Sequence, residues 1–252
     1  MTAEENFGRA LAALWTRDGI EVDDPRGLAT AVAAAFADAN GGAAAAAVLM
    51  DSAGVRAQWN RVLREGRARA LAARIHPLVA EPLLDLLSGD GSVCEALAAS
   101  GIASMSATER SGDYAEWRLP PHVRFEPFVD GLDLSQFSAS TALVSAVLHH
   151  EPDPTRLLDA LAAARIPRWV IVENCVTPAF TRPFHELVDR FFNTCLNEFG
   201  VHCGNEHRTL DEWVALLGRY GEVTIATDYF AIPGIPFPYS LLVVRLHGTG
   251  PA

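Results

Sequence analysis

The segment Leu83-Leu84-Asp85-Leu86-Leu87-Ser88-Gly89-Asp90-Gly91-Ser92-Val93 constrains this chain more than any other. An apolar run ends at a carboxylate, turns through two glycines and restarts as an amphipathic stretch through Cys94–Ser100. The pattern predicts a strand, a tight loop and a helix. Glycine lets the loop adopt backbone conformations that other residues avoid and approach a ligand closely. The helix behind it opens on N–H groups that have no intrahelical partner. At the carboxyl edge of a parallel sheet such a loop holds nucleotide-like ligands. A second strand is expected over Ile102–Thr108, ending at Glu109. A carboxylate about 20 positions beyond the loop is placed to hydrogen-bond ribose hydroxyls.

Dinucleotides and S-adenosylmethionine both fit that logic. The dinucleotide fingerprint has a third glycine toward the helix, which is missing here, and Asp85 and Asp90 would repel a pyrophosphate. A nicotinamide-dependent oxidoreductase is thereby disfavoured. The order Asp85-x-Leu87-x-Gly89-x-Gly91 resembles motif I, D-x-G-x-G-x-G, of the class I S-adenosylmethionine-dependent methyltransferases of small-molecule type. The departure is Leu87, which stands where that motif has its first glycine; its side chain would crowd the methionine end of the cofactor or shift the loop. The resemblance implies S-adenosylmethionine as cofactor, with Asp85 organising the loop and orienting the amino group. Ser88, Gly89 and Gly91 would give close backbone approach, and Glu109 would take the ribose. It also implies that Asp130, after the third strand, reaches the adenine amine, with Asp133 as a near alternative. Arg67 or Arg69 would meet the cofactor carboxylate, unless they simply form a solvated helix face.

Along the chain, residues 1–65 read as helices: Phe7, Leu11, Ala12 and Trp15 recur at helical spacing, and Pro25 opens a second helix through Phe36. This N-terminal segment is expected to cover the cofactor, to build a dimer contact, or to serve only as packing. Residues 66–252 alternate strand and helix, which argues for a parallel α/β sheet with helices on both faces. Helices are expected over Arg67–Ile75, Thr155–Ala164 and Leu210–Leu217, the last opened by a Thr209/Glu212 capping box. Strands are expected over Leu83–Leu87, Val123–Phe125, Ala142–Leu148, Trp169–Val172, Val223–Thr227 and Ser240–Leu246, with Gly112–Leu119 a loop or single turn. The final two strands are too close for a crossover helix and should pair antiparallel. The fold class is therefore α/β: a Rossmann-like class I methyltransferase sheet, mostly parallel with the last strand antiparallel, an N-terminal helical segment, and a lid insertion at 174–208 after the fifth strand. Phe184, Leu187, Val188, Phe191, Phe192, Leu196 and Phe199 would anchor that lid.

The loops after the fourth and fifth strands should carry the chemistry. His149-His150-Glu151-Pro152-Asp153 resembles the "hH-x-P-D" segment of small-molecule methyltransferases, where a histidine acts as base or orients the acceptor hydroxyl. By that analogy His150 comes first, then His149. Glu173 ends the fifth strand at the same crevice, suited to base work, to holding an imidazolium, or to a salt bridge with an arginine. His185, His202, Cys203 and His207 raise the question of a metal, but no paired cysteines accompany them and a structural zinc site needs four placed ligands. No metal is therefore assigned, and His185, His202 and His207 are expected to line the acceptor pocket.

Half of the 252 residues are hydrophobic, enough for a packed core, yet no apolar run has membrane-spanning length. The formal net charge of −11 and the absence of a lysine cluster argue against nucleic acid. The acidic start and four cysteines without C-x-x-C spacing suggest a cytoplasmic protein. The sequence thus points to a methyltransferase acting on a hydroxyl or amine of a small-molecule acceptor, in secondary metabolism, as monomer or homodimer. The competing expectation is a catalytically degenerate protein of the same fold, serving as a partner or scaffold because Leu87 spoils the loop.

Overall fold

The structure, a computed structural model, describes residues 3–38, 41–110, 119–196 and 206–248. Seven strands form one sheet: β1 (Leu83–Asp85), β2 (Met105–Glu109), β3 (Arg124–Pro127), β4 (Thr141–Ser145), β5 (Arg168–Asn174), β6 (Gly221–Phe230) and β7 (Tyr239–Leu246). Their order is β3-β2-β1-β4-β5-β7-β6, with β1–β5 parallel and β7 antiparallel to both of its neighbours. The connection reverses direction between β1 and β4, and in an open α/β sheet ligands lodge in the crevice at the carboxyl ends of strands at such a point.

The strands form where the sequence can be buried on both faces. Trp169-Val170-Ile171-Val172 is wholly buried, as expected of β-branched residues in the middle of a covered sheet. Successive residues serve opposite faces: Leu83, Leu143 and Leu241 join one apolar cluster, while Leu84, Val144 and Leu242 join the other. β6 is the sheet edge; it is largely exposed and its pairing is interrupted by register shifts, which discourages pairing with another chain. β1 is shorter than expected because Leu87 takes a left-handed φ of 57°, which an extended strand does not allow.

Helices cover the sheet. α1 (Ala3–Arg17), α2 (Pro25–Phe36), α3 (Gly42–Ser52) and α4 (Val55–Arg61) form the N-terminal segment, and α4 continues through a π-helical turn, Val62–Gly66, into α5 (Arg67–Ile75). α6 (Ser92–Ala99) follows the glycine loop. α7 (Pro154–Ala163) starts with Asp153 accepting from the Thr155 amide, and α8 (Arg182–Phe191) runs into a second π-helical turn. α9 (Leu210–Leu217) opens on the expected Thr209/Glu212 capping box. The N-terminal segment is sewn to the rest of the chain. Phe7 and Trp59 pack on Phe191, with ring centroids 5.1 and 5.9 Å apart, and Trp59 donates to the Gly234 carbonyl at 2.9 Å. Among the described residues no helix is long and apolar enough to cross a membrane. The loop expected at Gly112–Leu119 lies, except for Leu119, outside the described residues.

Candidate active site

A cavity of about 280 Å³ opens at the carboxyl ends of β1, β2 and β4. One wall is the glycine loop. Asp85 closes β1 and is buried, and its carboxyl accepts from Cys94 Sγ at 3.0 Å. Burial raises the Asp85 pKa to about 7, the Cys94 hydrogen bond opposing and Glu109 assisting. The loop is tied to β2: the Leu87 amide donates to Thr108 Oγ1 at 3.1 Å, and the Gly89 amide to Glu109 Oε2 at 2.8 Å. Gly89 and Gly91 have φ of 59° and 73°, and a Cβ at Gly89 would meet no protein atom within 4 Å. Next to Glu109, Arg110 forms a two-pronged ion pair with Glu151, Nη2 to Oε2 at 3.0 Å. A further wall is formed by the end of the N-terminal segment, through Asn60, Leu63 and Arg64, continued by Arg67 and Leu71 of α5.

The opposite wall is a buried polar cluster. Glu173 Oε1 accepts the Val147 and Leu148 amides at 2.9 and 2.6 Å, and Oε2 lies 2.6 Å from His149 Nδ1. A carboxylate that anchors the turn after β4 thus also fixes the imidazole on that turn. Burial disfavours a charged His149, but Glu173 and then Asp189 outweigh it and raise its pKa. His149 Nε2 faces Asp189 Oδ2 at 3.7 Å, and His207 Nε2 approaches the same oxygen at 3.1 Å. Burial would raise the Asp189 pKa, yet the His207 contact and the nearby imidazoles of His149 and His150 hold it below the usual carboxylate range. Behind them, His207 Nδ1 meets Asn174 Oδ1 at 3.1 Å. His185 lies against His207 and Phe237, with centroids 5.0 and 4.1 Å away. Burial, with His207 adding, lowers the His185 pKa to about 3, so this ring is neutral.

No family model matches the sequence, and no curated protein matches it. Solved structures do. The mitomycin 7-O-methyltransferase MmcR superposes with a TM-score of 0.52 at 17% identity, over 95% of this chain and 67% of that one. The CMeT domain of the citrinin polyketide synthase superposes with a TM-score of 0.52 at 13% identity, over 93% of this chain and 68% of that one. The fold is that of the class I methyltransferases. The mostly parallel sheet with its last strand antiparallel agrees with the sequence expectation, which gave no strand order; the structure adds that β7 is inserted between β5 and β6.

Within this methyltransferase fold, Asp85, Ser88, Gly89, Glu109, His149 and His150 meet at the cavity, while Gly91 is the N-cap residue of α6 and does not line it. Other residues fall elsewhere. Asp130 does not reach the cavity; its exposed side chain lies 3.5 Å from Arg156, because the chain after β3 turns outward. Asp133 caps a 3-10 turn by accepting the Ser135 amide. Glu173 does not contact the cavity as a free base: it is fully buried behind His149 with both oxygens engaged. His185 and His207 are buried behind Asp189 and do not line the acceptor space: α8 turns the face that carries His185 inward, and His207, on the segment before α9, lies against that ring. Phe199, His202 and Cys203 lie outside the described residues. Of the two arginines, Arg67 lines the cavity and Arg69 does not.

Sequence reasoning missed Asp189, and it named neither Asn60 nor Arg64, although it expected the N-terminal segment that carries them to cover the cofactor. Asp189 left a signal: it lies four residues after His185 on the buried face of α8, a carboxylate inside an apolar stripe.

Proposed function

We propose that the protein binds S-adenosylmethionine and transfers its methyl group to a hydroxyl or amine of a small molecule. The reading rests on one juxtaposition: the glycine loop with Asp85 and Glu109 faces the Glu173–His149 pair across a single open crevice. Side chains at the loop suit the cofactor. Ser88 Oγ and Arg67 Nε are buried with no hydrogen-bond partner among the described residues, which favours a polar ligand there. Each Glu109 oxygen accepts one backbone amide and keeps a lone pair for a ribose hydroxyl. Asp85 would face the amino group, and Arg67 the carboxylate. When bound, the cofactor supplies an electrophilic methyl group on a sulfonium. His149 and His150 hold the acceptor hydroxyl or amine and take up its proton, and Glu173, through His149 Nδ1, keeps that imidazole in one orientation. The mitomycin 7-O-methyltransferase and citrinin synthase likenesses support a small-molecule acceptor in secondary metabolism.

Calorimetric titration with the demethylated cofactor product tests this reading. One saturable site, weakened by Glu109→Ala, is expected; folded protein that gives no heat removes it. A second reading is favoured by Leu87, whose strained, buried side chain stands in the loop where the resembling motif has glycine: the fold persists as a non-catalytic partner or scaffold. Leu87→Gly separates the two. If the native loop is competent, product affinity changes by less than about tenfold, that is, by under roughly 1.4 kcal/mol; a much larger gain favours the degenerate protein.

A further inference from the structure

The buried cluster opposite the glycine loop has a feature that proton transfer alone does not account for. His149, His150 and Asp189 each offer a ligand atom, and these three atoms lie within 4.8 Å of one another. They come from two separate elements, the turn after β4 and helix α8, and all three residues border the cavity. If Nδ1 of His149 donates to Glu173, its Nε2 presents a lone pair toward a carboxylate oxygen 3.7 Å away. A positive charge between two such electron-rich atoms in a buried site is strongly favoured, and His207, a separate residue 3.1 Å from the same oxygen, does not fill the gap to His149. A proton would satisfy that pair, but a third donor, from His150, is within reach.

We propose that His149, His150 and Asp189 bind one divalent transition-metal ion of the zinc class, through two imidazole nitrogens and one carboxylate oxygen, with open positions toward the cavity. Bonds of about 2.0–2.2 Å to nitrogen and oxygen put neighbouring ligand atoms roughly 3–4 Å apart, so the cluster needs only a small contraction. Two imidazoles and a carboxylate suit zinc and its neighbours, whereas magnesium and calcium prefer oxygen ligands throughout. The outer contacts have the pattern that orients metal ligands: Glu173 on the far nitrogen of His149, and His207 3.1 Å from the Asp189 oxygen. This is a different set from the His185, His202, Cys203 and His207 group weighed from the sequence.

The role of the ion, unlike its binding, rests on the methyl-transfer reading. An acceptor hydroxyl on an open position loses its proton to solvent water while its oxygen stays on the ion. The oxygen then forms the new bond to the methyl carbon as the carbon–sulfur bond breaks, and the sulfonium leaves as a neutral sulfide. With the ion bound, His149 and His150 are both ligands, and the ion takes over from them the holding of the acceptor oxygen and the promotion of its deprotonation.

The test is titration of chelator-stripped, full-length protein with cobalt(II), read by visible absorption, with zinc(II) as competitor. One equivalent of cobalt, displaced by zinc, is expected. His150→Ala and Asp189→Asn, each checked for folding by circular dichroism, should weaken it by more than about 100-fold. Folded wild-type protein with no saturable band overturns the site, as does wild-type affinity in a folded variant. Binding of the demethylated cofactor product is measured on the same ion-free protein. Product binding without cobalt binding overturns the metal and leaves the methyltransferase reading standing. Cobalt binding without product binding upholds the site and overturns its role.

Discussion

Asp85 is the residue whose chemistry the fold alters most plainly. Its pKa of about 7 lies far above the ordinary 3.8 because it is buried at the end of β1. Between those values the folded protein holds a proton that the unfolded chain has released. Stability from this group is therefore full below about pH 4, falls as pH rises, and levels off above about pH 7. The total is on the order of 4 kcal/mol. Urea denaturation across that range should show the wild-type stability falling relative to Asp85→Asn; a constant difference would sink the assignment. At this scale the sequence was informative where spacing alone dictates position. Asp85 and Glu109 are placed by the loop and the next strand tip, whereas His150 and His149 came from the resemblance of the segment after β4. Asp130 misled because its reach depends on how the chain leaves β3. Asp189 went unnoticed because its partners lie on the turn after β4, remote in sequence.

Elements were legible where punctuation is local. Arg67–Ile75 and Leu210–Leu217 have the expected bounds, set by the break at His76-Pro77 and by the Thr209 cap. β1 was over-extended because apolar Leu87 reads as strand although its backbone is left-handed. The expected anchoring of the insertion by aromatics is seen in α8, but what they grip could not be read from periodicity: Phe191 packs on Phe7, Phe36 and Trp59 of the N-terminal segment. That makes Phe191→Ala costly. With no exposure to lose and three rings left facing a void, it should lower stability by about 3–5 kcal/mol, read as a shift in denaturant midpoint at unchanged slope.

For the whole molecule, residues 1–65 are built into the same body as the sheet, and Asn60, Leu63 and Arg64 border the cavity. The segment's buried residues and those of one sheet face belong to a single apolar cluster. Calorimetry should accordingly give one unfolding transition whose van't Hoff and calorimetric enthalpies agree; a separate early melt of the N-terminal helices would contradict that continuity. The Trp59–Gly234 hydrogen bond spans 175 residues. At roughly 5–20 residues per second, a ribosome releases the indole about 10–35 s before the carbonyl that satisfies it. Throughout that interval the nascent helices carry a sticky aromatic face without its final cover, so newly made chains depend on chaperones at this stage more than finished molecules do.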